Sequence, residues 1–432
     1  MSASSRLDSL ARTLAHARER LGLDVGFVLW SGRHVPDDLA PEALAVAIAD
    51  EGAVAALIRR PNIDTLINLW VSGRLDIRNG SVFDLVARRP KVRSRELMKS
   101  LDKRLVLATA ARFVTRPRGG PWPLEGIRGD RARADGSESA NRTNVHYHYD
   151  VSNAFYALFL DPDMVYTCAY FTDWDGDLAT AQRDKLEMIC RKLRLRPGER
   201  FLDIGCGWGA LICHAAREYG VQAVGVTLSQ EQFDLAQARV AREGLAGRVS
   251  LELRDYAMLE GSFDKIASIG MFEQVGIANH PTYFRTVNRL LNPGGLYLHH
   301  TIARPAKRDD KRFRRKPPEY QAIVRYIFPG GELDHIGMSL ANLQRYGFEV
   351  HDVEAWREHY ARTCRLWHDR LLANREAAER EVGSVKTRLW LLYLAGCSLG
   401  FARNSIGIFQ TLASKRARGP SGLPPTRADL YR

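Results

Sequence analysis

Cysteine is scarce in this chain and carries no pattern. Its six cysteines, at 168, 190, 206, 213, 364 and 397, form no Cys-x-x-Cys pair and no metal-ligand spacing, which argues against a zinc site or a disulfide scaffold and for free thiols in a reducing compartment. Long apolar runs are missing too. The most apolar stretch, Leu389 to Ala402, contains glycine and serine and falls well short of the roughly 20 residues that span a bilayer; it predicts a buried helix. The opening residues, MSASSRLDSLARTLAHARER, have no apolar core and do not read as a secretory signal, so the expected location is the cytoplasm. Acid is in short supply: 50 Asp and Glu against 63 Lys and Arg leave a formal charge of +13. That balance predicts an anionic partner, either nucleic acid or an anionic membrane surface.

What is present suits two domains, since the 432 residues are 45% apolar and 26% charged, enough for large cores without metal or disulfide support. Residues 1–115 mix helical and strand-like patterns and predict a small α+β domain. Within them RLDSLARTLAHARERL reads as a helix, VGFVLW as a strand and ALAVAIADEGAVAALI as a helix. Residues 116–140 are rich in Pro, Gly and Arg and predict a linker. From 141 to 416 strand and helix patterns alternate, the signature of a parallel sheet covered by crossover helices. Strands are expected at 201, 223, 249, 265 and 295, with helices over 178–193, 210–219 and 280–291. Residues 417–432 form a basic tail, and a second basic stretch occupies 303–318.

The segment Leu202-Asp203-Ile204-Gly205-Cys206-Gly207-Trp208-Gly209 falls between a strand and a helix. Its glycines permit a sharp turn and close approach to a ligand. It lacks Gly-Lys-Ser/Thr, so it is not a phosphate loop, and its Asp-x-Gly-x-Gly form resembles the first motif of S-adenosylmethionine-dependent methyltransferases. In a doubly wound sheet the next strand ends also face the ligand. They carry Thr227, Leu228 and Gln232, then Asp255 and Tyr256. Ser229 and Gln232 also have the spacing of a helix capping box.

These segments, with His148-Tyr149-Asp150-Val151-Ser152-Asn153, Met164 to Phe171, Gly270-Met271-Phe272-Glu273, His300-Thr301-Ile302 and Tyr326 to Gly331, resemble the cyclopropane-fatty-acyl-phospholipid synthase family, which is related to the mycolic acid cyclopropane synthases. The resemblance implies a doubly wound, Rossmann-like α/β methyltransferase sheet with a smaller N-terminal α+β domain that helps engage lipid. It implies that Tyr166, Thr167, Asp203, Gly205, Gly207, Thr227, Leu228, Gln232, Asp255 and Tyr256 surround S-adenosyl-L-methionine. It further implies a bicarbonate ion held by Cys168, Glu273, His300 and Tyr360 with the backbone of Ile302, no metal, and a homodimer. The substrate would be an unsaturated phospholipid at the inner face of the membrane, with anionic lipid met by the basic loop 303–318 and no nucleic acid partner. Where the family usually has Phe-Glu-His-Val-Gly, this chain has Gln274 in place of the histidine.

The implied chemistry transfers a methylene unit to a cis double bond to give a cyclopropane. An alkene has no proton to lose before it attacks, so alignment against the electrophilic methyl does the first work. A base must then take one proton from the added carbon for the ring to close. One rival reading stops at a methyl or methylene branch. Others are a non-catalytic anionic lipid-binding protein and a basic RNA methyltransferase, although no RNA-binding module is evident.

Overall fold

The computed structural model describes residues 3–89, 100–127 and 151–431. The His148-Tyr149-Asp150 motif and positions 128–140 of the expected linker lie outside the described residues. The chain divides into two compact units, one of residues 1–127 with 383–395, the other of 128–382 with 396–432. Two expectations change here. Residues 116–127 belong to the first unit: Arg74 donates to the carbonyls of Arg118 and Gly119, and Leu124 is buried. The second unit also does not run unbroken from 141 to 416, because 383–395 leaves it for the first.

The first unit holds a four-stranded sheet in the order β2-β1-β3-β4, formed by β1 (Gly26–Val28), β2 (His34–Val35), β3 (Ala45–Ile48) and β4 (Leu75–Arg78). The apolar stretch expected as one helix is split. Ala45–Ile48 pairs with β1 and β4 as a strand, and Asp50 then caps the helix Glu51–Arg59 by accepting from Ala53 N, satisfying one of the donors a helix start leaves open. Helices Ala3–Leu21 and Lys103–Phe113 contribute Leu10 and Phe113 to a core with Leu29, Ile48, Val54 and Leu69.

The second unit is built on seven strands in the order β10-β11-β9-β8-β5-β6-β7. They are β5 (Arg200–Ile204), β6 (Gln222–Thr227), β7 (Val249–Leu253), β8 (Phe263–Ile269), β9 (Leu291–Ala303), β10 (Phe348–Ala355) and β11 (Gly407–Lys415). Strands β9, β8, β5, β6 and β7 pair in parallel, while β11 is antiparallel to both β9 and β10. Successive side chains alternate faces, so Phe201, Leu296 and Leu298 join one core while Leu202, Ile204 and Tyr297 join the other. On the first face the helix Leu178–Leu193 buries Leu186, Ile189, Cys190 and Leu193, the Leu and Ile side chains each contributing about 1.5–3 kcal/mol. The helix Ala210–Tyr219 stops at Gly220, whose φ is 67°. Strands β10 and β11 were not expected. Strand β9 also starts earlier than expected, at Leu291, because Leu291 pairs with Phe263 across an irregularity in register that accommodates Asn292 to Gly295.

The apolar stretch expected as a buried helix lies in the helix Arg375–Ala402, which is broken by non-helical Gly383. Among the described residues no helix is long and apolar enough to cross a membrane. The expected basic tail is pinned rather than free: Leu430 is buried, Arg427 pairs with Asp352 at 2.9 Å, and Arg191 donates to the Leu430 carbonyl.

Candidate active site

A cavity opens beyond the carboxyl ends of β5, β6, β7 and β8, on both sides of the point where the sheet order reverses. All ten positions proposed from sequence to surround the cofactor line it. The turn after β5 makes this possible. Gly205 has φ 82°, its N–H donates to the Val226 carbonyl, and a Cβ there would stand 2.7 Å from Met271 Cγ. Gly207 has φ 54° and nothing within 4 Å of where its Cβ would be, so the bare backbone faces open space.

The capping-box expectation is half met. Ser229 accepts from Gln232 N at the start of helix Gln230–Arg242, but the Gln232 side chain does not reach back. Its Oε1 accepts instead from Thr227 Oγ1 at 2.9 Å, and both residues line the cavity. Asp255 caps the short turn Tyr256–Met258 by accepting from Ala257 N. Tyr166 is set in an aromatic cluster, its ring centroid 5.3 Å from Tyr156 and 5.1 Å from Trp367.

Sequence reasoning passed over Lys185, which also lines the cavity and donates to Thr167 Oγ1 at 2.8 Å. Burial pushes its ammonium down to about 8, partly offset by Asp161, Cys168 and Asp203. Burial pushes the Asp203 carboxyl up to about 7, with Lys185 pulling the other way. The signal was a lysine on the otherwise buried face of an amphipathic helix, one position before Leu186.

The five groups proposed to hold the anion do not line this cavity, but neighbours of three of them do. Thr167 precedes Cys168, Met271 and Gln274 flank Glu273, and Ile269, which lines the cavity, pairs across the sheet with His300. Glu273 and Ile302 meet directly, Ile302 N donating to Glu273 Oε1 at 2.6 Å. Cys168 and His300 share Trp356. The thiol lies 3.8 Å from the Trp356 carbonyl, and the His300 ring stands edge-on to the indole at 5.3 Å. Tyr360 begins the next helical turn, its N–H donating to the same carbonyl. Its hydroxyl is pushed far up by burial first, then by Cys364, Tyr166, Cys168 and Glu273.

Burial likewise raises the Cys168 thiol and the Glu273 carboxyl and lowers the His300 imidazole, so thiol, imidazole and phenol are all neutral. Glu273 Oε2 and His300 Nε2 are buried without a partner among the described residues. One is an acceptor and the other a ring nitrogen able to donate. An open acceptor and an open potential donor are the chemistry that a small oxyanion carrying one hydroxyl, such as bicarbonate, would need. Neighbouring His299 faces the other side of the sheet and bonds Tyr297 Oη at 2.9 Å.

A family model described as mycolic acid cyclopropane synthetase matches residues 137–411. A probable fatty acid methyltransferase of Pseudomonas putida is 38% identical over 97% of this chain and 99% of that one. The cyclopropane-fatty-acyl-phospholipid synthase of Escherichia coli K12 is 40% identical over 62% of this chain and 66% of its own length. Among solved structures, mycolic acid cyclopropane synthase CmaA1 complexed with SAH and CTAB is 35% identical, with a TM-score of 0.60 over 63% of this chain and 98% of that one. A switch-point cavity behind an Asp-x-Gly-x-Gly turn, in a sheet of this order, therefore belongs to an S-adenosylmethionine-dependent enzyme of the mycolic acid cyclopropane synthetase family.

Proposed function

We propose that this protein transfers a methylene unit from S-adenosylmethionine to the cis double bond of an unsaturated phospholipid acyl chain, leaving a cyclopropane. The observation that carries the reading is the pair of orphaned buried atoms, Glu273 Oε2 and His300 Nε2, set behind the wall of a cavity that all ten cofactor positions line. S-adenosylmethionine, when bound, supplies an electrophilic one-carbon unit. Gly205 and Gly207 bring backbone close to it, and Thr167 and Gln232 offer polar atoms to it.

No residue needs to activate the alkene, so the chain's work is to align and to exclude water. Tyr166, which lines the cavity with Tyr156 and Trp367 packed against its ring, supplies aromatic surface for that purpose. Ring closure needs a base beside an apolar chain, where burial already raises Glu273 toward its neutral form. Bicarbonate, when bound, supplies a base that brings no side chain with it. Glu273 would accept its hydroxyl hydrogen at Oε2 while Ile302 N anchors Oε1, and His300 and Tyr360 would serve as donors.

A second reading is favoured by two observations: the relative that spans the whole chain carries the name of a fatty acid methyltransferase, and Gln274 lines the cavity with its Oε1 unpartnered. In that reading the product is a methyl or methylene branch. The protein would act from the cytoplasm as a peripheral visitor to the membrane's inner face, as a homodimer, with loop 303–318 against anionic lipid.

The deciding experiment incubates purified protein and labelled S-adenosylmethionine with vesicles of defined unsaturated phospholipids and takes proton NMR of the released acyl chains. Upfield cis-cyclopropane signals support the first reading, and exomethylene or branch-methyl signals, which the cis-olefin substrate lacks, support the second. Label that never enters the acyl chains overturns both.

A further inference from the structure

Behind the site, His300 is met by groups that the proposed reaction has not used. Lys192, 1% exposed, contacts Glu354 Oε2 as an ion pair and donates to Gln410 Oε1 at 2.7 Å. Its Nζ also lies 5.0 Å from the Trp356 ring centroid. The Gln410 Nε2 atom then lies 3.1 Å from His300 Nδ1, and the two residues are direct partners across β11 and β9.

Elementary donor and acceptor counting fixes every proton in this row. An ammonium has three donors and no acceptor, so the Gln410 atom facing Lys192 must be its carbonyl oxygen. The other end of the amide is a donor. A ring nitrogen that faces a donor at bonding distance must be bare, so the imidazole's one hydrogen is on Nε2. That is the buried atom without a partner.

We propose that Gln410, oriented by Lys192, is a positioning residue that holds His300 in its Nε2–H tautomer, making it a hydrogen-bond donor to the anion and never a base. This rests on the reading of the pocket as the bicarbonate site. With the other tautomer, a bare Nε2 would set a lone pair against an anion oxygen. With Nε2–H, His300 donates to the anion while Glu273 Oε2 accepts its hydroxyl.

Long-range proton–nitrogen correlation on the full chain, labelled at its 12 histidines, tests the tautomer without reference to turnover. The His300 signals are assigned by their loss in His300→Gln. Wild type is expected to show a protonated Nε2 and a bare Nδ1. In Gln410→Glu a carboxylate would accept from both Lys192 and the ring, so the hydrogen is expected to move to Nδ1. The KM for sodium bicarbonate should then rise about tenfold or more, the scale of a lost hydrogen bond to a charged group, with calorimetric affinity for S-adenosylmethionine unchanged.

A wild-type His300 protonated on Nδ1, or a Gln410→Glu spectrum identical to wild type, overturns the proposal. The wild-type spectrum decides even if the variant does not fold. Expected tautomers in both proteins, with a wild-type rate indifferent to added bicarbonate, would leave the Lys192–Gln410–His300 geometry standing and overturn the anion reading instead.

Discussion

Glu273 and Asp203 are both buried carboxyls raised by desolvation, yet their surroundings give them different work. Glu273 has one oxygen tied to Ile302 N and the other unpartnered, so Glu273→Gln preserves shape while removing the acceptor. Cofactor affinity by calorimetry is expected to hold and turnover to fall by about a hundredfold or more. Asp203 instead predicts a pH signature. Between its ordinary value of 3.8 and about 7 the native state keeps a proton that the unfolded chain has lost, so stability falls as pH rises through that window and levels off above it. Urea unfolding of cofactor-free protein at about pH 5 and about pH 7 should show wild type losing stability relative to Asp203→Asn; an equal change in both would contradict the shift. Turn glycines and strand ends made Asp203, Gly205, Gly207, Thr227 and Asp255 legible in one dimension, whereas Tyr166 and Thr167 were legible only through the family resemblance. For Lys185 the helix pattern held a signal that was passed over; for Lys192 and Gln410 the pattern held none, since a lysine or glutamine on an amphipathic pattern looks the same whether it meets water or, as here, the back of a site.

At the scale of elements, short apolar patterns misled where tertiary pairing decided. Ala45–Ile48 runs into an apolar helix and reads as part of it, but its β-branched Val46 and Ile48 suit a strand, and its edges are claimed by β1 and β4. Strand β10, with alternating half-buried and exposed positions, carries too little apolar contrast to stand out. The basic stretch 303–318 contains a helix, Asp310–Arg314, anchored by buried Phe313. Arg304 lies 4.3 Å above that ring and donates to the Phe313 carbonyl, and Lys316 pairs with Glu332. If the loop docks on anionic lipid as proposed, the cations available for it are Lys307, Arg308, Lys311, Arg314 and Arg315, with Arg312 partly held by Asp309. Changing those five to Gln should weaken co-sedimentation with anionic vesicles, each worth about 1 kcal/mol near the surface, and leave neutral vesicles unaffected. Undiminished binding would reduce the stretch to a solvated loop. The break in Arg375–Ala402 is equally specific: Gly383 has φ 80° and ψ 159°, a region essentially closed to other residues, so Gly383→Ala is expected to cost about 1–3 kcal/mol in denaturant unfolding.

Over the whole molecule, the division into units is the feature a linear reading could not supply, because a composition shift marks where a linker starts and not where the chain returns. Residues 383–395 complete the first unit. Arg388 is buried there, donating to the Trp70 and Leu75 carbonyls and to Asp76, and Trp70 Nε1 donates back to the Arg388 carbonyl at 3.0 Å. A chain begun at Arg128 should therefore be poorly soluble, since this segment would be left without the unit it closes; a monodisperse species in size-exclusion chromatography would contradict that. The same return has a consequence in time. A ribosome releases the chain from its N-terminus, and domains commonly fold as they emerge, but the first unit here cannot close until Ala395 has been made, after nearly all of the second. The first unit, begun early, is thus completed late, and its residues 1–127 must wait through the synthesis of most of the catalytic fold for the segment that closes them.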